Sequence, residues 1–509
     1  MKLSQILHKD EYTSAYSAED VEIEGICSDT RHEIKGNLFV CIKGTRFDAH
    51  CLLGYVKDKG AAAVLVEEGF AYDTSLPLPV FRVKNTRAML SLLWSRFCGE
   101  PEKGLKIIGI TGTNGKTSCA FMLHAVLLAG GISAGLIGTV GCYVKKEPLE
   151  MAFSEDDGNR LETMTTPDPD LLFPILREMA DRGVTHVVME VSSHALHFDK
   201  CADMQFEMGI FTNLASDHMD LHETKEAYRQ AKEKLFTRCK VGIWNADDAE
   251  AEKMIAHASC RHIRCSAKEK TDFYIKNKQM RGMNGLSYML CGSFGRLTVS
   301  MQIPGEFTVY NSLLAAVAAL TLGVSPKAVR EGLGNLRGVR GRLERVDTGE
   351  QDFTVIIDYA HTEEAMRNVL ATVRALCIRE ERIVAVFGCG GDRDQSKRSH
   401  MGKAAEELAD FSIITTDNQR SEDPKQIILD ILKGFTDKEK RKVILDREKA
   451  ITYAITEARS RDVILLIGKG HETYQLCGKE KHPFDERKIV AQAIKMREAA
   501  HTNEDEHES

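Results

Sequence analysis

"IIGITGTNGKTSCAFMLHAVLLAGG", residues 107–131, decides how the chain is read. Isoleucine and threonine dominate its opening, a β-branched strand signal. Gly112 and Gly115 then punctuate a turn, and an apolar run of helical character follows. A strand, a glycine turn and a helix in succession open a parallel α/β domain. Within "TGTNGKTS" (111–118) the glycines permit close backbone approach, so the N–H groups around Thr113 and Asn114 can point at phosphate oxygens. Lys116 adds a point charge, Thr117 or Ser118 can ligate magnesium, and the helix N-terminus favours an anion. The G-x4-G-K-[ST] spacing is not met, because position 110 is Ile and Gly109 stands one residue early. The flanking strand and helix carry the nucleotide-phosphate reading over the bland one, a glycine turn with a solvated lysine.

Working outward, 509 residues are too many for one ordinary core and predict two to four domains. A formal net charge of −7 argues against a nucleic-acid binder. The N-terminus "MKLSQILHKDEYTS" lacks the apolar run of a signal peptide, and "LLAAVAAL" (313–320) is too short to cross a membrane. The fourteen cysteines include no CxxC pair, the closest two being Cys260 and Cys265, so reduced thiols and a cytoplasmic location are expected. No membrane or nucleic-acid partner is expected, and a monomer is. The polar segment "HTNEDEHES" (501–509) predicts a frayed tail.

Three α/β segments are expected. Residues 1–102 carry short strand-like runs such as "LFVCI" (38–42) and "AAAVLVEE" (61–68). A Pro/Gly/Lys break, "PEKGLK" (101–106), leads into a central segment, 103–337, which turns strand-rich at "LTVSMQI" and then helical at "TVYNSLLAAVAALTLG". A second break falls in "GNLRGVRGRLERV" (334–346). In the third segment, 338–500, the runs "TVIIDYA", "RIVAVFGCGG", "FSIITTDN" and "VILLIGKG" are apolar strands that end in polar or glycine residues. Ligands of open α/β sheets bind outside such carboxyl ends, which places "TTDNQRSEDP" (415–424) in a binding position by topology alone. "FGCGGDR" (387–393) lacks the third glycine of a dinucleotide fingerprint, since position 393 is Arg.

Further stretches, in order, resemble the ATP-dependent Mur ligases of bacterial cell-wall synthesis. They are "TTPDP" (165–169), "MEVSSHAL" (189–196), "TNLASDHMDLH" (212–222), "YRQAKEKLF" (228–236), "YNSLLAA" (310–316), "GVRGRLE" (338–344), "DYAHT" (358–362) and "GKGHE" (468–472). The N-terminal "SDTRHEIKGNLFVCIKG" (28–44) resembles the subgroup that adds the third peptide residue. The resemblance implies a small N-terminal module for a UDP-sugar, a central P-loop-type ATPase domain and a Rossmann-like C-terminal domain. It also implies ATP and Mg2+ as cofactors and UDP-MurNAc-L-Ala-D-Glu, an amino acid and ATP as small-molecule partners. Phosphorylation turns the acceptor carboxylate into an acyl phosphate, which the incoming amine attacks, expelling phosphate.

The same resemblance assigns residues. Glu190 and His218 match metal-ligand positions together with Thr117, and Lys232 matches a lysine that is carbamylated into an anionic ligand. Asn311 and Arg342 match nucleotide contacts, while Ser28, Thr30, Thr165, Thr166, Ser192 and Lys200 match the UDP-sugar-peptide site. Departures stand at Thr30, Phe198, Lys200 and Glu363, where serine, a polar residue, arginine and proline are usual. Family members that add meso-2,6-diaminopimelate carry D-N-P-R where this chain has Asp417, Asn418, Gln419 and Arg420, and lysine-adding members lack the arginine. Arg420 can grip a distal carboxylate with two parallel bonds, and Arg393, Gly468 and Glu472 match the other contacts to that amino acid. The expectation is diaminopimelate ligation; the alternatives are L-lysine or another amino acid, folylpolyglutamate synthesis, or a regulatory ATP-binding protein without ligase chemistry.

Overall fold

The computed structural model describes residues 1–13, 21–44, 47–71, 77–149, 151, 164–215, 219–377, 381–478 and 480–507. By internal contacts the chain forms two units, one of Met1–Tyr274, Gly292–Phe294 and Tyr310–Gly332, the other of Ile275–Cys291, Gly295–Val309 and Leu333–Ser509.

The first unit opens on a parallel sheet of β1 (Ile26–Cys27), β2 (Leu38–Val40), β3 (Ala63–Glu67) and β4 (Val80–Val83), in that order. Successive strand residues face opposite sides, so an apolar run fills two cores at once. Leu38, Val40 and Leu65 enter one cluster, and Phe39, Val64 and Val66 enter the other.

The larger sheet of this unit is built from β5 (Lys106–Thr111), β6 (Ala134–Gly138), β7 (Gly141–Val144), β8 (Glu147–Pro148), β9 (His186–Glu190), β10 (Phe206–Phe211), β11 (Cys239–Asn245) and β12 (Arg261–Ser266). Their spatial order is β12-β11-β10-β5-β9-β6-β7-β8, parallel from β12 to β6 and antiparallel from there to β8. β5 lies in the middle and is buried at every position after Lys106, as a strand covered on both faces requires. The helix Lys116–Ala129 that follows it buries Cys119, Met122, Leu123, Val126 and Leu127.

β13 (Phe273–Met280) begins by pairing with Cys265 and Ser266, and β14 (Leu286–Gly292) and β15 (Gly295–Met301) follow it as successive neighbours. In the second unit, β16 (Glu344–Val346), β17 (Thr354–Asp358), β18 (Ile383–Phe387), β19 (Phe411–Ile414), β20 (Arg441–Val443) and β21 (Val463–Ile467) take the order β16-β17-β21-β18-β19-β20. Only β16 runs antiparallel. Ile356, Ala385, Ile414 and Leu465 face one core, and Val355, Val384, Ile413 and Ile464 face the other. The last strand in sequence thus lies between the first two parallel ones, and the loops after β17, β21, β18 and β19 open on one edge. A short hairpin, β22 (Tyr474–Cys477) with β23 (Glu480–Pro483), completes the strands.

Two local expectations change. The final helix runs Glu486–His507 and so carries the chain into the segment expected to fray; no Gly or Pro stands between 486 and 507 to stop it. Glu363, where proline is usual in the resembling family, is the first helical residue after the Thr362 N-cap, whose Oγ1 accepts from Ala365 N at 3.2 Å. That position suits proline by its fixed φ and glutamate by the helix dipole, so the substitution leaves the helix start intact.

Arg447, at the head of the helix Arg447–Thr456, and Glu486 are both fully buried, with Nη2 2.8 Å from Oε1. Arg447 also donates to the carbonyls of Ile467 at 2.9 Å and Thr416 at 3.3 Å. Removing one partner of a buried pair strands the other charge, so Glu486→Ala costs roughly 3–5 kcal/mol. Glu486→Gln, which keeps shape and an acceptor, costs less. Denaturant midpoints at unchanged slope measure both, and an Ala variant as stable as wild type overturns the assignment.

Candidate active site

The phosphate loop is held open by its backbone and its neighbours. Gly112 and Gly115 adopt φ of 152° and 85°, and a Cβ on either would collide, with Thr212 Oγ1 and Asn311 Oδ1 respectively. Thr212 Oγ1 donates to Asn114 O at 2.6 Å, and Asn213 Oδ1 accepts from Asn114 N at 3.0 Å. Thr113 N donates to Asn213 O at 2.9 Å. Lys116 Nζ folds onto the carbonyls of Gly112 and Thr113, both at 2.8 Å, while Thr117 and Ser118 occupy the first turn of the helix. Asn311 is buried beside Gly115.

Glu190 ends β9 and is 1% exposed. Its Oε2 accepts from Thr117 Oγ1 at 3.0 Å and from Thr139 Oγ1 at 3.1 Å, and its Oε1 accepts from Thr139 N at 3.0 Å. Lys232, also 1% exposed, reaches over the Tyr228 ring at 4.4 Å and donates to Gly112 O at 2.9 Å. Thr117 and Glu190 therefore converge as the oxygen pair a hard divalent cation accepts, and Lys232 approaches the same loop from the other side. His218 lies outside the described residues.

A cleft of about 900 Å³ in the first unit is lined by Ser28, Asp29, Arg31, Arg87, His194 and Lys200 among others. The Arg31 guanidinium beside Asp29 holds that carboxyl down at about 2. Lys200 Nζ contacts Asp168 Oδ1 at 2.8 Å and donates to Thr166 O at 3.3 Å, a point-charge role that needs no guanidinium fork. Thr166 Oγ1 donates to Glu190 O at 2.9 Å and accepts from Ser192 N at 3.0 Å, and the Thr165 and Thr139 hydroxyl oxygens lie 3.1 Å apart. Ser192 caps the next helix through Ala195 N at 3.1 Å. Phe198 carries the Arg87 guanidinium 4.6 Å above its ring. Of the expected residues, Ser28 and Lys200 line the cleft, Thr165, Thr166 and Ser192 form the chain from it to Glu190, and Thr30 does not line it.

In the second unit a charged crevice follows the carboxyl ends of β17, β21, β18 and β19. Asp417 is held below the usual carboxylate range: burial opposes this, and Lys469 and Arg447 overcome it. Gly468 lies under Asp417 Oδ2, where a Cβ would collide. Asn418 Nδ2 donates to Glu472 Oε2 at 2.9 Å, and burial pushes the Glu472 carboxyl up. Arg420 takes φ of 48°, the left-handed region. It is fixed there by its N–H on Leu476 O at 3.2 Å and by its own carbonyl on Gly478 N at 2.7 Å. Its Nη1 donates to Gly391 O at 2.8 Å and Asn418 O at 3.4 Å, leaving Nε and Nη2 to other acceptors. Gln419 contributes its carbonyl to Glu422 N at 3.1 Å, and Arg393 stands exposed on the loop after β18. Arg342 lies 5.3 Å above the Tyr359 ring, and Asp358, raised by burial, accepts from Leu343 N and Ala360 N, each at 2.8 Å.

Thr139, Asn213, Tyr228, Asp29, Arg31, Arg87 and Lys469 were not singled out by sequence. Asp29 and Arg31 stand inside the quoted "SDTRHE" and Lys469 inside "GKGHE", so their neighbourhoods carried a signal that their residue types did not.

Comparison with known proteins bears on the whole chain. The Mur ligase middle domain matches residues 110–319, and the Mur ligase, glutamate ligase domain matches residues 341–470. A UDP-N-acetylmuramoyl-L-alanyl-D-glutamate–2,6-diaminopimelate ligase of Bacillus licheniformis is 38% identical over 504 residues, covering 97% of this chain and 99% of that one. A solved structure of a ligase of the same name is 28% identical with a TM-score of 0.68, covering 98% of this chain and 99% of that one. The MurF ligase of Thermotoga maritima in complex with ADP, 16% identical with a TM-score of 0.55 over 94% of this chain and 98% of that one, shares the fold. With two domain matches in order and likeness running from end to end, the chain belongs to the Mur ligase family.

Proposed function

We propose that this ligase joins meso-2,6-diaminopimelate to UDP-N-acetylmuramoyl-L-Ala-D-Glu at the expense of ATP, acting as a cytoplasmic monomer on small-molecule substrates. In this reading residues 1–102, 103–337 and 338–500 are its UDP-sugar, ATP and amino-acid domains. The carrying observation is the pairing of opposite charges around Asn418. Arg420 Nη1 meets Asn418 O at 3.4 Å, and Glu472 Oε2 accepts from Asn418 Nδ2 at 2.9 Å. One residue thus separates a guanidinium with unspent donors from a carboxylate, which suits the distal carboxylate and ammonium of diaminopimelate.

In the reaction, the glycine loop 112–115, the start of the helix behind it and Lys116 hold the ATP phosphates, and Asn311 beside Gly115 holds the rest of the nucleotide. Ser28 and Lys200, with Thr165, Thr166 and Ser192 behind them, hold the UDP-sugar-peptide. Thr117, Glu190, His218 and a carbamylated Lys232 would hold Mg2+, which neutralises phosphate charge as the acyl phosphate forms. A buried lysine ammonium is costly, and carbamylation relieves that cost by replacing the cation with an oxygen ligand. Arg393, Asp417, Gln419 and Gly468 shape the floor on which the amino acid lies.

Lysine lacks the distal carboxylate and leaves the Arg420 guanidinium unpaired, a loss of roughly 2–5 kcal/mol. An amino-acid panel assayed for ATP-dependent ligation is expected to favour diaminopimelate over lysine by about a hundredfold or more, and Arg420→Ala to erase most of that margin. Wild-type preference for lysine, or unchanged discrimination in the variant, rejects the substrate. Lys232→Ala is expected to lose nearly all turnover and to regain part of it with short carboxylic acids, while intact wild-type protein shows the added mass of one CO2. A fully active alanine variant removes Lys232 from the mechanism.

A further inference from the structure

Lys469, two residues past the end of β21, is fully buried. Its Nζ lies 3.0 Å from Asn418 Oδ1, 3.2 Å from Glu472 Oε2 and 3.8 Å from Asp417 Oδ1. The rings of Tyr474 and Phe484 stand 5.9 and 5.8 Å from the same nitrogen. A buried cation persists only where it is paired, so this ammonium belongs to the acceptors around it.

Those acceptors are fixed in orientation by it. Lys469 Nζ and Leu476 N are donors only, and both address one atom of the Asn418 amide, which must therefore be Oδ1. Nδ2 is then turned toward Glu472 Oε2, which also receives Lys469. Among the described residues no protein donor is spent on Glu472 Oε1.

We infer that Lys469 is a positioning and specificity residue for the amino-acid substrate: it holds Glu472 ionised and the Asn418 amide in one orientation, so that Glu472 Oε1 meets the substrate's distal ammonium as a full negative charge. The inference rests on the proposed reading that Glu472 receives that ammonium. Burial and the Asp417 carboxylate both disfavour ionisation of Glu472, and the Lys469 charge opposes them together with the hydrogen bond from Asn418. Arg447 is fully buried and spent on Glu486, and Tyr359 also faces the carboxyl. With Lys469 replaced by an apolar chain, burial and Asp417 push the Glu472 carboxyl up with less to oppose them, and its protonated form offers a hydroxyl where a carboxylate stood.

The test measures kcat and KM for diaminopimelate in the full-length enzyme, with ATP and the UDP-dipeptide saturating, as a function of pH from about 6 to 9. Lys469→Met is expected to raise the KM on the order of 30-fold near neutrality, with kcat within a few-fold and the KM for ATP unchanged. That KM falls again as pH rises and Glu472 ionises unaided. Glu472→Gln, with nothing to titrate, gives a raised KM without this slope, and the double variant matches Glu472→Gln alone because both changes act through one group. Lys469→Arg keeps the charge and a flat profile, and it serves as the arm of the test should the Met variant fail to fold. A flat profile in Lys469→Met, a steep one in Lys469→Arg, or a double variant worse than Glu472→Gln overturns the inference. If wild type prefers another amino acid, the substrate reading falls by itself, and the same profiles on that amino acid still decide the role of Lys469.

Discussion

A carboxylate buried at the end of a parallel strand has to find donors, and the donors Glu190 finds tie the first unit together. Thr117 reaches it from the phosphate-loop helix and Thr139 from just beyond β6, while the Glu190 carbonyl takes Thr166 from the cleft side. One residue at 1% exposure, through its carboxylate and its carbonyl, thereby fixes the relative positions of the loop, two strand ends and the chain leading to Ser192 and Lys200. Leaving such a group unpaired costs more than any of these bonds gains, so the arrangement is set by the penalty for breaking it.

The two units meet opposite electrostatic problems at the same place on a sheet. Each gathers charged residues after the carboxyl ends of parallel strands. In the first, an anion is buried and threonine hydroxyls and a backbone N–H satisfy it. In the second, a cation, Lys469, is buried, and Asn418, Glu472 and Asp417 gather around it. The first suits a hard metal and phosphate oxygens; the second suits a substrate that carries both signs of charge.

Much of the fold was legible because its strands are covered on both faces. Runs such as "KIIGIT", "TVIID" and "VILLI" have no polar face to confuse with a surface helix; the first two end in Thr and Asp, and Gly468 follows the third, where the sheet edge opens. The final helix was less legible, since a polar sequence without breakers reads as loop or helix alike. Within the site, the strand, glycine turn and helix around Lys116 singled it out, and a strand-end position with the resemblance to D-N-P-R singled out Arg420. Neither signal singled out Lys469 or Thr139. Their importance depends on partners 51 residues away in both cases, Asn418 for one and Glu190 for the other, and no local pattern encodes those meetings. Phe198 and Lys200 looked like departures from a pattern, and the structure gives each a plain task, a platform for Arg87 and a point charge for Asp168.

The pair formed by Arg447 and Glu486 has a consequence for the order in which the molecule is made. A nascent chain that has emerged as far as Glu472 already contains Asp417, Asn418, Arg420, Gly468, Lys469 and Glu472. Its Arg447 nevertheless still lacks the carboxylate that pins it, and Arg447 is what holds the carbonyls of Thr416 and Ile467, the residues that immediately precede Asp417 and Gly468. The rim of the crevice therefore takes its shape when the helix that opens at Glu486 docks, after its own residues have already been made.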